Sequence, residues 1–166
     1  MKRVAVLQAR TNSSRLPAKV LLPIGGIPLS VLAAKRAANT GIDVIVATSE
    51  EASDDALASI IAEHGLLCFR GSLDNTLDRV VSALKSYDDQ TIVYRLTADN
   101  VFPDGPLLDE VAEAMLSENL EYICCNGISS GLPYGVSVEV TYLKHLREAN
   151  QITTSSFDQE HVTPFI

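Results

Sequence analysis

Five short apolar runs, separated by amphipathic stretches, limit what this chain can fold into more than any other feature. Arg3 to Gln8 (RVAVLQ), Ile42 to Ala47 (IDVIVA), Leu66 to Phe69, Thr91 to Leu96 and Leu120 to Cys125 read as strands. Between them, residues 28 to 39, 54 to 64, 74 to 86 and 105 to 118 read as helices. Pro28 opens the first of these and Gly41 lies just beyond it, and Gly65 stops the second. Leu77, Val80, Val81 and Leu84 fall at i, i+3, i+4 and i+7, which is one face of a helix. Strands apolar throughout, alternating with helices, predict an α/β fold: a mostly parallel sheet with helices on both faces. Near Gly131 the rhythm changes. Leu132 to Val140 alternates and predicts a small antiparallel excursion. A helix over Tyr142 to Asn150 and a last one from about Ser155 complete a single domain over residues 1 to 166.

At 166 residues the chain can bury a real core. No apolar run reaches the roughly 18 residues of a membrane helix, and the start lacks a signal-peptide pattern. Cys68, Cys124 and Cys125 are odd in number, fit no zinc spacing and sit by apolar runs. They read as reduced, buried thiols of a cytoplasmic protein.

Charge divides the chain. Overall it carries 13 basic and 21 acidic residues, a net of −8, which argues against non-specific binding to nucleic acid or membrane surfaces. Yet residues 1 to 42 hold seven cations and no acid. Lys2, Lys35 and Arg36 read as solvated surface. Arg10, Arg15 and Lys19 are different: they fall within ten residues, with Ser13 and Ser14 among them, directly after an apolar strand and before a Gly25-Gly26 turn. A cationic, hydroxyl-rich loop leaving a strand is suited to holding phosphate.

In an open α/β sheet ligands bind beyond the carboxyl ends of the strands. That rim comprises residues 9 to 26, 48 to 53, 70 to 74, 97 to 104 and 126 to 135. Asp99 therefore shares an edge with the cationic loop. Magnesium takes one or two carboxylates and fills its other positions with water and phosphate oxygens, so Asp99 is the candidate Mg²⁺ ligand. The alternative, an N-cap role for Asp99, is weakened because the next helix begins nearer Pro103 to Pro106. His64, at a helix end, reads as structural, and His145 as surface or interface. His161 has no chemical role legible from spacing.

The loop matches R-x-x-S-x-R-L-P-x-K-x-L-x-x-I-x-G-x-P at Arg10, Ser13, Arg15, Leu16, Pro17, Lys19, Leu21, Ile24, Gly26 and Pro28. This resembles the cytidylyltransferases that activate acidic sugars, the acylneuraminate and 3-deoxy-manno-octulosonate cytidylyltransferases, and most of all the branch called spore coat polysaccharide biosynthesis protein F. The likeness continues through VIVATS (44 to 49), FRGSLDNTLDRVV (69 to 81), YRLTADN (94 to 100), YGVSVEV (134 to 140) and EHVTPF (160 to 165). It implies a nucleotide-diphospho-sugar-transferase-like (Rossmann-like) fold and a homodimer, with residues 131 to 150 as a dimer surface. The implied reaction is CTP plus a sugar acid giving a CMP-sugar and pyrophosphate, with Mg²⁺ on Asp99. Arg10, Arg15 and Lys19 would clamp the triphosphate, helped by Ser13. Ala9 would let the base approach the backbone. Gly71, Ser72, Asp78 and Arg79 match the block lining the nucleotide pocket, although Arg79 would equally pair with Asp78 or Asp74 on a helix surface.

Three departures stand out. Ser137 replaces a usual Asp, leaving Glu139 alone, and Val101 replaces a common Pro. The family also runs past EHVTPF to a motif with further Asp residues, one a second metal ligand, so a chain ending at Ile166 reads as a fragment or a shortened homologue. These departures keep open a non-catalytic nucleotide-binding or assembly domain of the same fold. A nucleotide-sugar-dependent glycosyltransferase is disfavoured, because Asp99-Asn100-Val101 is not Asp-x-Asp. A dinucleotide dehydrogenase lacks its G-x-G-x-x-G, and no Ser-His-Asp or Cys-His arrangement supports a hydrolase.

Overall fold

The structure is a computed structural model that describes residues 1–13, 15–125, 127, 130–133 and 135–166. Ser14 of the loop and Tyr134 of the YGVSVEV block lie outside the described residues.

The chain runs through β1 (Arg3–Gln8), a hairpin of β2 (Pro23–Ile24) and β3 (Ile27–Pro28), α1 (Leu29–Ala37), β4 (Asp43–Ser49) and α2 (Asp55–Glu63). It continues with β5 (Leu67–Gly71), α3 (Thr76–Ala83), β6 (Ile92–Thr97) and α4 (Gly105–Ser117). β7 (Tyr122–Cys125), β8 (Val138–Tyr142), α5 (Leu143–Ile152) and α6 (Ser156–His161) follow. The main sheet is ordered β5-β4-β1-β6-β8-β7. β5, β4, β1 and β6 are parallel, and β8 runs antiparallel to both β6 and β7.

Period two sorts the side chains. Val4 and Val6 of β1 face one way, with Ile45, Val93, Leu77 and Val80 of α3, and Leu143 and Leu146 of α5. Ala5 and Leu7 face the other way, onto Val31 and Ala34 of α1, Leu57 and Ile61 of α2, and Leu108 and Met115 of α4. Both faces of β1 are therefore dry, and the expected two-sided α/β sandwich is what forms.

The antiparallel material expected after Gly131 is present, and it lies inside the main sheet. The alternation near Gly131 belongs to β8, which inserts into the main sheet between β6 and β7. Val138 and Val140 are buried on one face while Glu139 and Thr141 turn to the other. The separate small antiparallel pair is β2–β3. Its turn residues Gly25 and Gly26 have φ of 58° and 83°, as a two-residue hairpin turn requires. α3 starts later than predicted because the Asn75 side chain accepts from the Asp78 amide (2.9 Å) and so caps it. No disulfide joins the cysteines, but they are less buried than expected; Cys124 is exposed. Among the described residues no helix is long and apolar enough to cross a membrane.

One consequence of the strand order sets up the site. From β1 the chain winds through β4 to β5, then returns to β6 on the opposite side of β1. That reversal opens a crevice beyond the carboxyl ends of β1 and β6, where Gln8 lies level with Thr97.

Candidate functional site

The loop after β1 is pinned before it is free to bind anything. The Ala9 amide still donates to the Ala47 carbonyl (3.1 Å), carrying the ladder one residue past the strand. The Thr11 amide then donates to Asp54 Oδ1 (2.8 Å), and the Thr11 hydroxyl lies 2.7 Å from the same oxygen. Asp54 Oδ2 accepts from the amide and hydroxyl of Ser49. Burial works to raise this carboxyl, but the hydrogen bonds from Ser49 and Thr11 outweigh it and hold Asp54 below its ordinary value. At the far end the Ala18 amide donates to the Thr11 carbonyl (2.7 Å), with Ala18 itself left-handed at φ 55°. Residues 11 to 18 are thereby closed at the base, and the turn Lys19–Leu21 leads back toward the sheet.

Above the crevice lies a cavity of about 460 Å³. The structure gathers Ala9, Arg10, Ser13, Arg15, Lys19, Arg79 and Asp99 on its wall. It does not bring Gly71 and Ser72 there; they line a separate cleft with Glu50, Glu51, Asp74 and Asp78. Arg79 connects the two places. It is buried, and it makes neither of the helix-surface pairs with Asp78 or Asp74 considered from sequence. Its guanidinium donates to the Ser72 and Leu73 carbonyls and to the Thr76 hydroxyl. Its Nε has no partner among the described residues. Burial, and next the neighbouring Arg10, pull Arg79 below its ordinary pKa. Arg79 thereby brings a buried positive charge to the cavity wall.

Lys19 Nζ meets Asp99 Oδ2 at 2.5 Å across the cavity mouth. Burial tends to raise Asp99, but hydrogen bonds from Lys19 and Thr97 and the charge of Lys19 leave it below the usual carboxylate range. Asp99 is not a helix cap: Asp104 takes that role for α4, accepting from the Leu107 amide. Its side chain is part-exposed to the cavity. An ionised, accessible carboxylate beside a phosphate-sized cationic wall fits Mg²⁺ as a single protein ligand. Among the described residues no group of three acids, histidines or cysteines could cage a metal, so phosphate oxygens and water would fill the other positions.

Sequence reasoning missed the floor. Gln8, Arg95 and Thr97 project from the ends of β1 and β6 on the α3 side of the sheet. Arg95 donates to Gln8 Oε1 (3.1 Å) and pairs with Glu139 Oε1 at 2.7 Å; Glu139 Oε2 accepts from the Thr163 hydroxyl. Glu139, the one carboxylate left where Ser137 replaces Asp, is thus buried and committed to Arg95 and Thr163. The one legible signal was Arg95 itself, a cation within an otherwise apolar strand. Glu160 and His161, at the end of α6, close the last side of the cavity, and Arg10 lies 3.6 Å from Glu160.

Known proteins place this geometry. The family described as Cytidylyltransferase matches residues 4–166. An uncharacterised protein of Methanocaldococcus jannaschii is 36% identical over 168 residues, covering 100% of this chain and 67% of that protein. The spore coat polysaccharide biosynthesis protein SpsF of Bacillus subtilis is 32% identical, covering 97% of this chain and 68% of that one. Among solved structures, a cytidylyltransferase from Leptospira borgpetersenii superposes with a TM-score of 0.89 at 30% identity, covering 99% of this chain and 70% of the other.

Proposed function

The chain belongs to the cytidylyltransferase family, and from that premise we propose that it joins CMP from CTP to the hydroxyl of a sugar acid, releasing pyrophosphate. The carrying observation is that Arg10, Arg15, Lys19, Arg79 and Asp99 line one cavity at the sheet's reversal point.

The attacking hydroxyl oxygen bonds to the α-phosphorus and loses its proton to solvent, and the bond from that phosphorus to the pyrophosphate oxygen breaks. Negative charge grows on the bridging and non-bridging oxygens, so fixed positive groups are the main source of acceleration. Arg10 and Arg15 grip phosphate oxygens with planar forks, and Lys19 adds a point charge. Ser13 supplies a hydroxyl contact, and the small side chain of Ala9 leaves the backbone open to the base. Asp99 would hold Mg²⁺, which when bound neutralises phosphate charge. Lys19, paired with Asp99 in this structure, would then be free to reach the phosphates. The similarity to SpsF supports a sugar acid destined for a surface polysaccharide.

Calorimetry with CTP, UTP, ATP and GTP, with and without Mg²⁺, tests the nucleotide half. CTP should bind best, more tightly with Mg²⁺, and Arg15→Ala should abolish most of the binding. Failure to bind any nucleotide would sink the proposal. Pyrophosphate release with 3-deoxy-manno-octulosonate or N-acetylneuraminate as acceptor tests the other half.

A further inference from the structure

The end of α6 carries an unusual backbone. Val162, a β-branched residue, sits at φ 75° and ψ −54°, and the Thr163 amide donates to the His161 carbonyl at 2.9 Å. This is a three-residue γ-turn of the strained, positive-φ kind. Such a conformation costs on the order of 1–3 kcal/mol and persists only where the surroundings impose it. Here they do so from both sides. The Val162 side chain is fully buried in the α3–α5 face of the core, and the Thr163 hydroxyl donates to Glu139, which Arg95 holds in the floor. Before the turn, the His161 ring packs against Phe157 with centroids 4.4 Å apart. The net effect is that His161 stands on the cavity wall beside Arg10 and Arg79. A relaxed helix end would not need Val162 in this conformation.

We propose that His161 is a direct nucleotide contact. Its imidazole donates a hydrogen bond to a phosphate oxygen of the bound substrate, and the γ-turn exists to aim it. This inference rests on the cytidylyltransferase reading above and adds a residue to it. The charged groups that share the cavity with the imidazole are Glu160 on its own helix, Arg10, Arg15 and Lys19 on the loop, Arg79 on α3, Arg95 on β6 and Asp99 just beyond it.

The test is an NMR pH titration of the whole chain's imidazoles, with and without saturating CTP and Mg²⁺. The chain has three histidines. His64, at the end of α2, and His145, bonded to Glu121, lie away from the cavity and serve as internal references. The His161 midpoint should rise by about one pH unit on CTP binding while the other two stay fixed. Calorimetry should show His161→Gln weakening CTP roughly tenfold, the scale of one hydrogen bond to a charged group. His161→Asn, a shorter donor, guards against a folding artefact and should lose a similar factor with an unchanged melting temperature. CTP that binds while the His161 midpoint stays still, or that binds both variants as tightly as the wild type, overturns this inference alone. A wild-type chain that binds no CTP overturns the nucleotide reading and this contact with it.

Discussion

The loop wall and the floor of the cavity are built on opposite principles. On the wall, Arg10 and Arg15 are part-exposed or exposed, and Arg10 meets Glu160 only at 3.6 Å. In the floor, Arg95 and Glu139 are largely buried and 2.7 Å apart, Arg95 Nε donates to Gln8 and Glu139 Oε2 accepts from Thr163. Arg10 and Arg15 are available to a ligand and contribute little to stability. The floor's charges are committed to each other and shape the cavity. Between Arg10 or Arg15 and Arg95, burial and a carboxylate partner, not residue type, separate a binding group from a structural one.

The largest effect should come from breaking the floor. Glu139→Ala leaves Arg95 buried without its partner and should destabilise the fold by about 3–5 kcal/mol. Urea unfolding measures this, and a loss under about 1 kcal/mol would mean the floor is as loosely held as the wall. Next is Asp54, which pins the wall to β4 through Thr11 and Ser49. Asp54→Ala strands these buried donors and should cost roughly 2–3 kcal/mol while weakening CTP through a slack loop. Asp54 also predicts an acid limit. Its carboxyl lies below the ordinary value in the fold, so the folded state takes up this proton less readily than the unfolded chain. That stabilisation is complete above the unfolded value, about 4, and is lost as pH falls through the folded one. An Asp54→Asn chain should lose stability less steeply below that pH, and parallel acid curves for the two proteins would contradict it.

Arg15→Ala should divide the two properties most cleanly. CTP affinity should fall about tenfold or more, with unfolding free energy unchanged within about 0.5 kcal/mol. Calorimetry and urea denaturation on one preparation give both numbers, and a large stability loss would place Arg15 with the floor.

The same contrast explains what was legible in the sequence. Strand and helix alternation reads locally, so the sandwich could be derived; each run's period needs only its own residues. The loop could be read too, because Arg10, Arg15 and Lys19 lie within ten residues and no acid interrupts them. The floor could not. Gln8, Arg95, Glu139 and Thr163 come from four distant segments, and only the sheet order, with β8 entering beside β6, makes them neighbours. Asp54 was hidden for the same reason: it lies among three other acids and a serine in EEASDD, and nothing nearby says it will be the one buried beneath Thr11. Arg79 was ambiguous because Asp78 and Asp74 lie close to it in the chain. The fold resolved the choice by burying the guanidinium against backbone carbonyls.

The smallest predicted effect is also the finest test of the wall. Glu160→Gln removes the carboxylate beside Arg10 and keeps the side chain's size. Both partners are substantially exposed and 3.6 Å apart, so the stability change should stay within about 0.5 kcal/mol. For binding, the sign is the informative part. A phosphate chain arriving at Arg10 must share it with, or take it from, Glu160, and it also meets that carboxylate's repulsion. Neutralising Glu160 should therefore tighten CTP slightly, by about twofold, and the gain should shrink as salt screens the repulsion. Weaker binding by tenfold would mean that Glu160 orients Arg10 as firmly as Glu139 holds Arg95, and the wall would then be built like the floor.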